Sequence, residues 1–225
     1  MNIRVNKEPR MSRIILSRIA AAPLRILSVV MAIFVLAACS DNDAGRKAQS
    51  GQVTAVSGKA AIGGSYTLVD HTGKTVTDVD FHGKAQLIYF GYAYCPDVCP
   101  TALQQMGAAL TLAGSAADHY QPLFITIDSE RDTPEMLAQY VTNNGFPDDL
   151  VGLTGTPEQL KLAMKVFKVI GQKVEDPNST ADYIYDHSSI IYMMDENGEF
   201  VDVFTHTTTP RQIADRLIAY KKTGR

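Results

Sequence analysis

Two nearly unbroken hydrophobic runs, AQLIYFGY from Ala85 and QPLFITID from Gln121, stand out from an otherwise mixed chain. Runs of this length without polar alternation predict strands buried on both faces of a sheet. Between them PTALQQMGAALTLAG, from Pro100 to Gly114, carries its apolar residues at helical spacing and stops at a glycine. Strand, helix, strand in that order predicts a parallel pair with a right-handed crossover. Ahead of this unit SYTLVDHTGKTVTD alternates on either side of His71-Thr72-Gly73, which signals a hairpin.

Three later helices are announced by Thr-Pro pairs at Thr133-Pro134, Thr156-Pro157 and Thr209-Pro210. Threonine caps a helix N-terminus, and proline is tolerated at the first helical position. Gln159 and Gln212 complete capping boxes in the last two. SSIIYMMDENGEFVDVF predicts two strands turned through Glu196-Asn197-Gly198. The element order is hairpin, strand, helix, strand, helix, short strand, helix, antiparallel hairpin and terminal helix, an α/β class with a central mixed β-sheet flanked by helices. The polar segment GQKVEDPNSTADYIYD, residues 171–186, predicts a long inserted loop before the C-terminal hairpin, and it leads directly to His187.

The chain has 225 residues and 45% hydrophobic content, enough for one buried domain. Its beginning reads differently. Arg4, Lys7, Arg10, Arg13, Arg18 and Arg25 precede the apolar run ILSVVMAIFVLAA, the order of an export signal. The uncharged stretch from Ile26 to Ala38 is shorter than the ~20 residues of a spanning helix, so cleavage is favoured over an uncleaved anchor. The junction LAAC resembles the lipobox of bacterial lipoproteins, which implies a signal peptide over residues 1–38, cleavage before Cys39 and lipid on Cys39. Met11 serves as well as Met1 for the start. Residues 40–52 are small, polar and non-periodic, so 39–52 predicts a flexible tether and 53–225 the folded domain. After cleavage 15 Lys and Arg face 23 Asp and Glu, a net charge near −8 that gives no footprint for nucleic acid.

Cys95 and Cys99 are then the two cysteines left in a compartment where disulfides form. With Pro100 at the first helical position, Cys99 is expected as the N-cap and Cys95 one tight turn earlier. Both sulfurs would meet the positive end of the helix dipole, which favours the thiolate. A thiolate pair there suits a redox disulfide, a two-thiolate metal site or a plain stabilising disulfide. The spacing does not choose among them, and it exceeds by one the two intervening residues usual in thioredoxin-like oxidoreductases.

FGYAYCPDVCPTAL, ITIDSERDTPEMLAQY and YDHSSIIYMMDENGEFVDVF together resemble the Sco/SenC family of copper proteins, over about Gly63 to Tyr220. The resemblance implies a thioredoxin-like fold. It also implies that Cys95, Cys99 and His187 hold one copper ion for assembly of the CuA centre of cytochrome c oxidase. Ser129 departs from the family, in which many members have proline. Soft thiolates select Cu(I) and imidazole also suits Cu(II), so this set can hold either oxidation state. A structural zinc site would want four protein ligands. The partners implied are oxidase subunit II, another periplasmic copper chaperone, and a membrane reached through the lipid. The setting is the periplasmic side of a bacterial cell envelope.

Two rival functions use the same residues. One is a thiol-disulfide reductase, with Cys95 or Cys99 as nucleophile, that keeps the oxidase cysteines reduced. The other is a redox or copper sensor. Asp186 is expected to orient His187 through its other ring nitrogen, and Asp97 to tune the site between the thiolates. Met193 and Met194 read as core, and His71, His82, His119 and His206 as solvated. Asp128, Glu130, Arg131 and Asp132, at the C-terminal end of a buried strand, suit either a docking surface or a charged helix entrance.

Overall fold

The computed structural model describes residues 61–175 and 182–224. Strands β1 (Thr67–Asp70) and β2 (Thr75–Thr77) form the first hairpin, and β3 (Ala85–Gly91) and β4 (Tyr120–Thr126) are the two hydrophobic runs. Helix α1 (Val98–Ala113) joins them, followed by α2 (Pro134–Tyr140), β5 (Val151–Thr154) and α3 (Pro157–Val166). Then come β6 (Gly171–Glu175), β7 (Tyr183–His187), β8 (Ile190–Met194), β9 (Phe200–Thr205) and α4 (Pro210–Thr223). The central sheet runs β2-β1-β5-β4-β3-β8-β9. Its three middle strands β5, β4 and β3 are parallel, and the flanking pairs are antiparallel.

All seven residues of β3 are buried, as an unbroken apolar run in mid-sheet requires. Tyr89 and Phe124 stand opposite each other in register, and behind them on the same face lie Cys99 of α1 and Leu137 of α2. Tyr120 shares that face and donates its hydroxyl to the Leu217 carbonyl of α4 at 2.7 Å. Phe90 and Tyr192 point the other way, onto Phe167 just after α3. Helices therefore cover both faces of a mixed sheet. Leu87, Ile88 and Phe90, fully buried in β3, each contribute about 1.5–3 kcal/mol by removal from water.

Thr133, Thr156 and Thr209 each accept a first-turn backbone N–H, and Gln159 and Gln212 close their capping boxes. Helix α1 begins differently from the expectation. Asp97 is its N-cap, which places Cys99 and Pro100 at the second and third helical positions rather than at the cap and the first. Proline is tolerated there because the N–H it lacks is among the four that a helix start leaves unbonded.

The segment 171–186, expected as a loop, is built on a ribbon. β6 and β7 pair antiparallel from Gly171↔His187 to Glu175↔Tyr183. This ribbon forms its own sheet, paired with no strand of the central one. The export segment 1–38, Cys39 and the tether to residue 52 lie outside the described residues. Among the described residues, no helix is long and apolar enough to cross a membrane.

Candidate metal centre

The chain leaves β3 at Gly91 and turns back at once. Tyr92 accepts the N–H of Cys95 through its carbonyl at 3.1 Å, and Asp132 accepts the N–H of Ala93 at 2.9 Å. This turn folds Cys95 over the start of α1, where its sulfur accepts the Cys99 N–H at 3.4 Å. The Cys95 sulfur thus does what the Asp97 side chain does not, capping a first-turn N–H. Cys95 is 7% exposed, whereas Cys99 is fully buried behind it.

The two thiols are polarised in opposite senses. Hydrogen bonding from Cys99 drives Cys95 well below the ordinary thiol range against the opposing effect of burial, aided by His187 and the N–H groups of Asp97 and Cys99. Cys99 is driven far up by that same bond to Cys95, then by burial and by the charge of Cys95. Of the two, Cys95 is the one favoured as thiolate and Cys99 the one favoured to keep its proton. The two are not joined in a disulfide.

His187 ends β7. Strand side chains alternate, so Tyr183, Tyr185 and His187 share one face. The ring meets Tyr89 and Tyr92 edge-on, with centroids 6.3 and 5.8 Å away. Nε2 lies 3.3 Å from the Cys99 sulfur, and Nδ1 lies 3.1 Å from the Ser188 carbonyl oxygen. That oxygen can only accept, so Nδ1 carries a hydrogen, and Nε2 is the ring atom that faces the thiols. The expected role of Asp186 meets a correction here. Asp186 is exposed, the alternation of β7 puts it on the opposite face, and Ser188 takes the ring nitrogen assigned to it. Asp97 is also exposed, with its carboxylate 3.5 Å from the Thr101 hydroxyl, and it is the backbone N–H of Asp97 that acts on Cys95.

Cys95, Cys99 and His187 place their donor atoms within 4.8 Å of one another, and no other group of three His, Cys, Asp or Glu donors does so among the described residues. Bonds of about 2.3 Å from a metal to thiolate would set such donors about 4 Å apart, so the cluster needs little contraction to close on an ion. A groove of about 300 Å³ lined by Tyr94, Met136, Gln139 and Tyr140 opens on Cys95, which gives an incoming group access to the more reactive sulfur. The larger groove, about 930 Å³, runs along α1 beside Gln104, Gly107 and Thr111, and none of the three donors lines it.

Residues 54–222 match the SCO1/SenC family across most of the chain. The chain belongs to the SCO1/SenC family. It is 41% identical over 175 residues to Protein sco1 of Schizosaccharomyces pombe, covering 76% of this chain and 65% of that one. With Protein SenC of Rhodobacter capsulatus it shares 39% over 161 residues, covering 72% and 71%. The structure of Bradyrhizobium japonicum ScoI with copper bound superposes with a TM-score of 0.64 at 41% identity, covering 71% of this chain and 99% of that one. Yeast Sco1 with copper bound gives 0.64 at 36% identity, covering 72% and 90%. The family's thioredoxin-like fold is therefore this chain's fold.

Within this SCO1/SenC protein the remaining candidates divide cleanly. Met193 and Met194 are buried opposite Leu87 and Gln86, at the end of β3 away from the cysteines, and fill core as expected. His71 accepts the Gly152 N–H at 3.1 Å, and His119 pairs with Glu196 at 2.6 Å, so these two are partnered rather than solvated. Asp128 and Asp132 are fully buried, which a docking surface would not require. Asp132 fastens the cysteine turn through Ala93, and Asp128 with Arg131 reaches Tyr183 on the histidine strand. Gly91 and Tyr92 are site residues that sequence reasoning passed over. A glycine ending a buried strand is the signal that could have marked the first.

Proposed function

We propose that this protein binds one copper ion through Cys95, Cys99 and His187 and delivers it to the CuA centre of cytochrome c oxidase subunit II. The observation that carries this is the convergence of two buried thiols and one half-buried imidazole beyond the C-terminal end of β3. Two thiolates hold Cu(I), and the imidazole extends the set to Cu(II). Three protein donors leave the ion accessible, so a recipient's thiolates can take it by stepwise ligand exchange. The oxidase is the recipient that family membership implies. Another periplasmic copper chaperone is the corresponding donor.

In this reading residues 1–38 are removed, Cys39 carries lipid, and residues 39–52 tether the domain to the periplasmic face of a bacterial membrane. The LAAC junction supports it. The mass of the mature chain tests it, because lipidated Cys39 as residue one differs from an intact N-terminus by a defined amount.

Anaerobic copper titration of the reduced protein alongside His187→Ala, with copper counted per chain after desalting, tests the central claim. One retained copper in the parent, with a large loss in the variant of copper offered as Cu(II), supports binding at this site. No retained copper in either protein overturns it. The opposite polarisation of the two thiols favours a second reading, a reductase in which Cys95 attacks a disulfide. Disulfide exchange that persists in His187→Ala with no copper retained by the parent would select that reading.

A further inference from the structure

β6 and β7 pair only with each other, so no ladder of backbone hydrogen bonds ties the strand bearing His187 to the central sheet. Beyond the chain link to β8, which starts three residues after His187, its reach to the cysteines depends on the side chains that hold the ribbon down. The strongest of these contacts converge on one group. The Asp128 carboxylate, fully buried just past β4, accepts Arg131 Nε at 2.6 Å, the Tyr183 hydroxyl at 2.9 Å and the Glu130 N–H at 3.2 Å. Arg131 donates from Nη1 to the Tyr183 carbonyl at 3.1 Å and lies 3.7 Å above the Tyr183 ring, with the Tyr94 ring 4.9 Å away. Tyr183 therefore meets the same guanidinium through its carbonyl and its ring, and its hydroxyl meets the carboxylate that orients that guanidinium.

Resting on the copper reading of the site, we propose that Arg131 is a positioning residue of the metal centre. It clasps Tyr183 of the ribbon to Asp128 of the sheet and so sets the reach of His187. Tyr183 lies two residues before Tyr185 and four before His187 on one strand face, and Tyr185 packs on Tyr92 at 5.5 Å beside the His187 ring. A displacement at Tyr183 is passed along an extended strand to the imidazole. The planar fork and flat face of a guanidinium are both used here, so an ammonium is no substitute. The exposed pair Lys173–Glu130, at 2.8 Å, only adds to the same closure.

The clasp acts through the histidine, so its loss should select between oxidation states. Cu(I) keeps its two thiolates, and Cu(II) loses the imidazole. Arg131→Met is expected to weaken Cu(II) retention by about tenfold to a hundredfold, the range typical of groups that orient a ligand, while Cu(I) retention stays within about threefold. Nitrogen coupling in the Cu(II) paramagnetic resonance spectrum should disappear with it. Adding Arg131→Met to His187→Ala should change nothing further. Tyr183→Leu, which leaves the buried Asp128–Arg131 pair in place, should give the same pattern and serves where Arg131→Met folds poorly. In metal-free protein both substitutions should speed amide exchange in Gly171–Glu175 and Tyr183–His187 and leave β3 and β4 protected.

A further loss of copper in the His187→Ala background, or unchanged Cu(II) retention with the nitrogen coupling intact, would overturn the clasp. So would parent-like protection of the ribbon amides in the metal-free variants. A parent that retains no copper overturns the copper reading instead, and the exchange measurement still decides on the clasp.

Discussion

The Cβ that Gly91 lacks would stand 2.8 Å from the sulfur of Cys99, and 2.9 Å from the Tyr89 ring. Glycine at the end of β3 is what lets α1 press a thiol against the sheet at this point. Gly91→Ala is therefore expected to push the Cys99 sulfur away, costing about 1–3 kcal/mol as overpacking does. Copper retention should fall with stability. Urea unfolding and copper counting on the purified variant check this, and a variant that matches the parent in both would refute the packing argument.

The opposed thiols predict an unusual alkylation profile. Cys95 is held below its ordinary value, so it stays a thiolate as pH falls, and its rate in reduced metal-free protein should remain nearly flat from pH 8 to pH 6. An ordinary thiol loses about tenfold per pH unit over that range. Cys99, driven up and buried, should be the last modified. Cys99→Ala removes the main donor to Cys95 and should restore the ordinary fall, slowing Cys95 at pH 6 by about tenfold or more. Peptide mapping by mass spectrometry reads both rates; a steep profile for parent Cys95 would contradict the assignment.

Asp132 predicts a dependence of stability on pH. Burial pushes its carboxyl up to about 6, with the Asp128 charge adding to it, against hydrogen bonds from the Thr126 hydroxyl and the Ala93 N–H. For an acid with a raised folded-state value, the protonated form favours folding. That contribution is present below the unfolded value of 3.8 and is lost as pH rises through about 6. Asp132→Asn keeps an acceptor oxygen and does not ionise. The stability of the parent relative to Asp132→Asn should fall by about 2 kcal/mol between pH 4 and pH 7. Parallel curves for the two proteins would exclude a raised Asp132.

Neither carboxylate beside the ligands in sequence should govern the metal. Asp186→Ala and Asp97→Ala are each expected to change copper retention by less than about twofold, since both carboxylates are exposed and solvent and salt screen them from the site. A tenfold loss in Asp186→Ala would show that the face assignment of β7 is wrong.

Much of this protein was legible before any coordinates. The runs at Ala85 and Gln121, the three Thr-Pro starts and the Asn197-Gly198 turn are local signals, each written within a few neighbouring residues, and the structure follows them all. The cysteine pair and the distant histidine were legible too, through their residue types and three ordered motifs. The start of α1 was missed by two residues because a sulfur, and not a side-chain oxygen, caps its first turn. The role of Asp186 was misassigned because residues 171–187 carry no clean alternation, and without a strand its face could not be assigned.

What the chain alone could not convey is distance between parts that no local rule connects. Asp128 and Arg131 read as surface charge, yet their partner Tyr183 lies more than fifty positions away and buries one of them completely. Gly91 reads as the end of a strand, and becomes a site residue only when α1 is laid against it. Local hydrogen bonding and side-chain period are set by neighbours in sequence and can be read there. The separation of Nε2 from two sulfurs is set by how a ribbon is fastened to a sheet, and that is a property of packing across the whole fold.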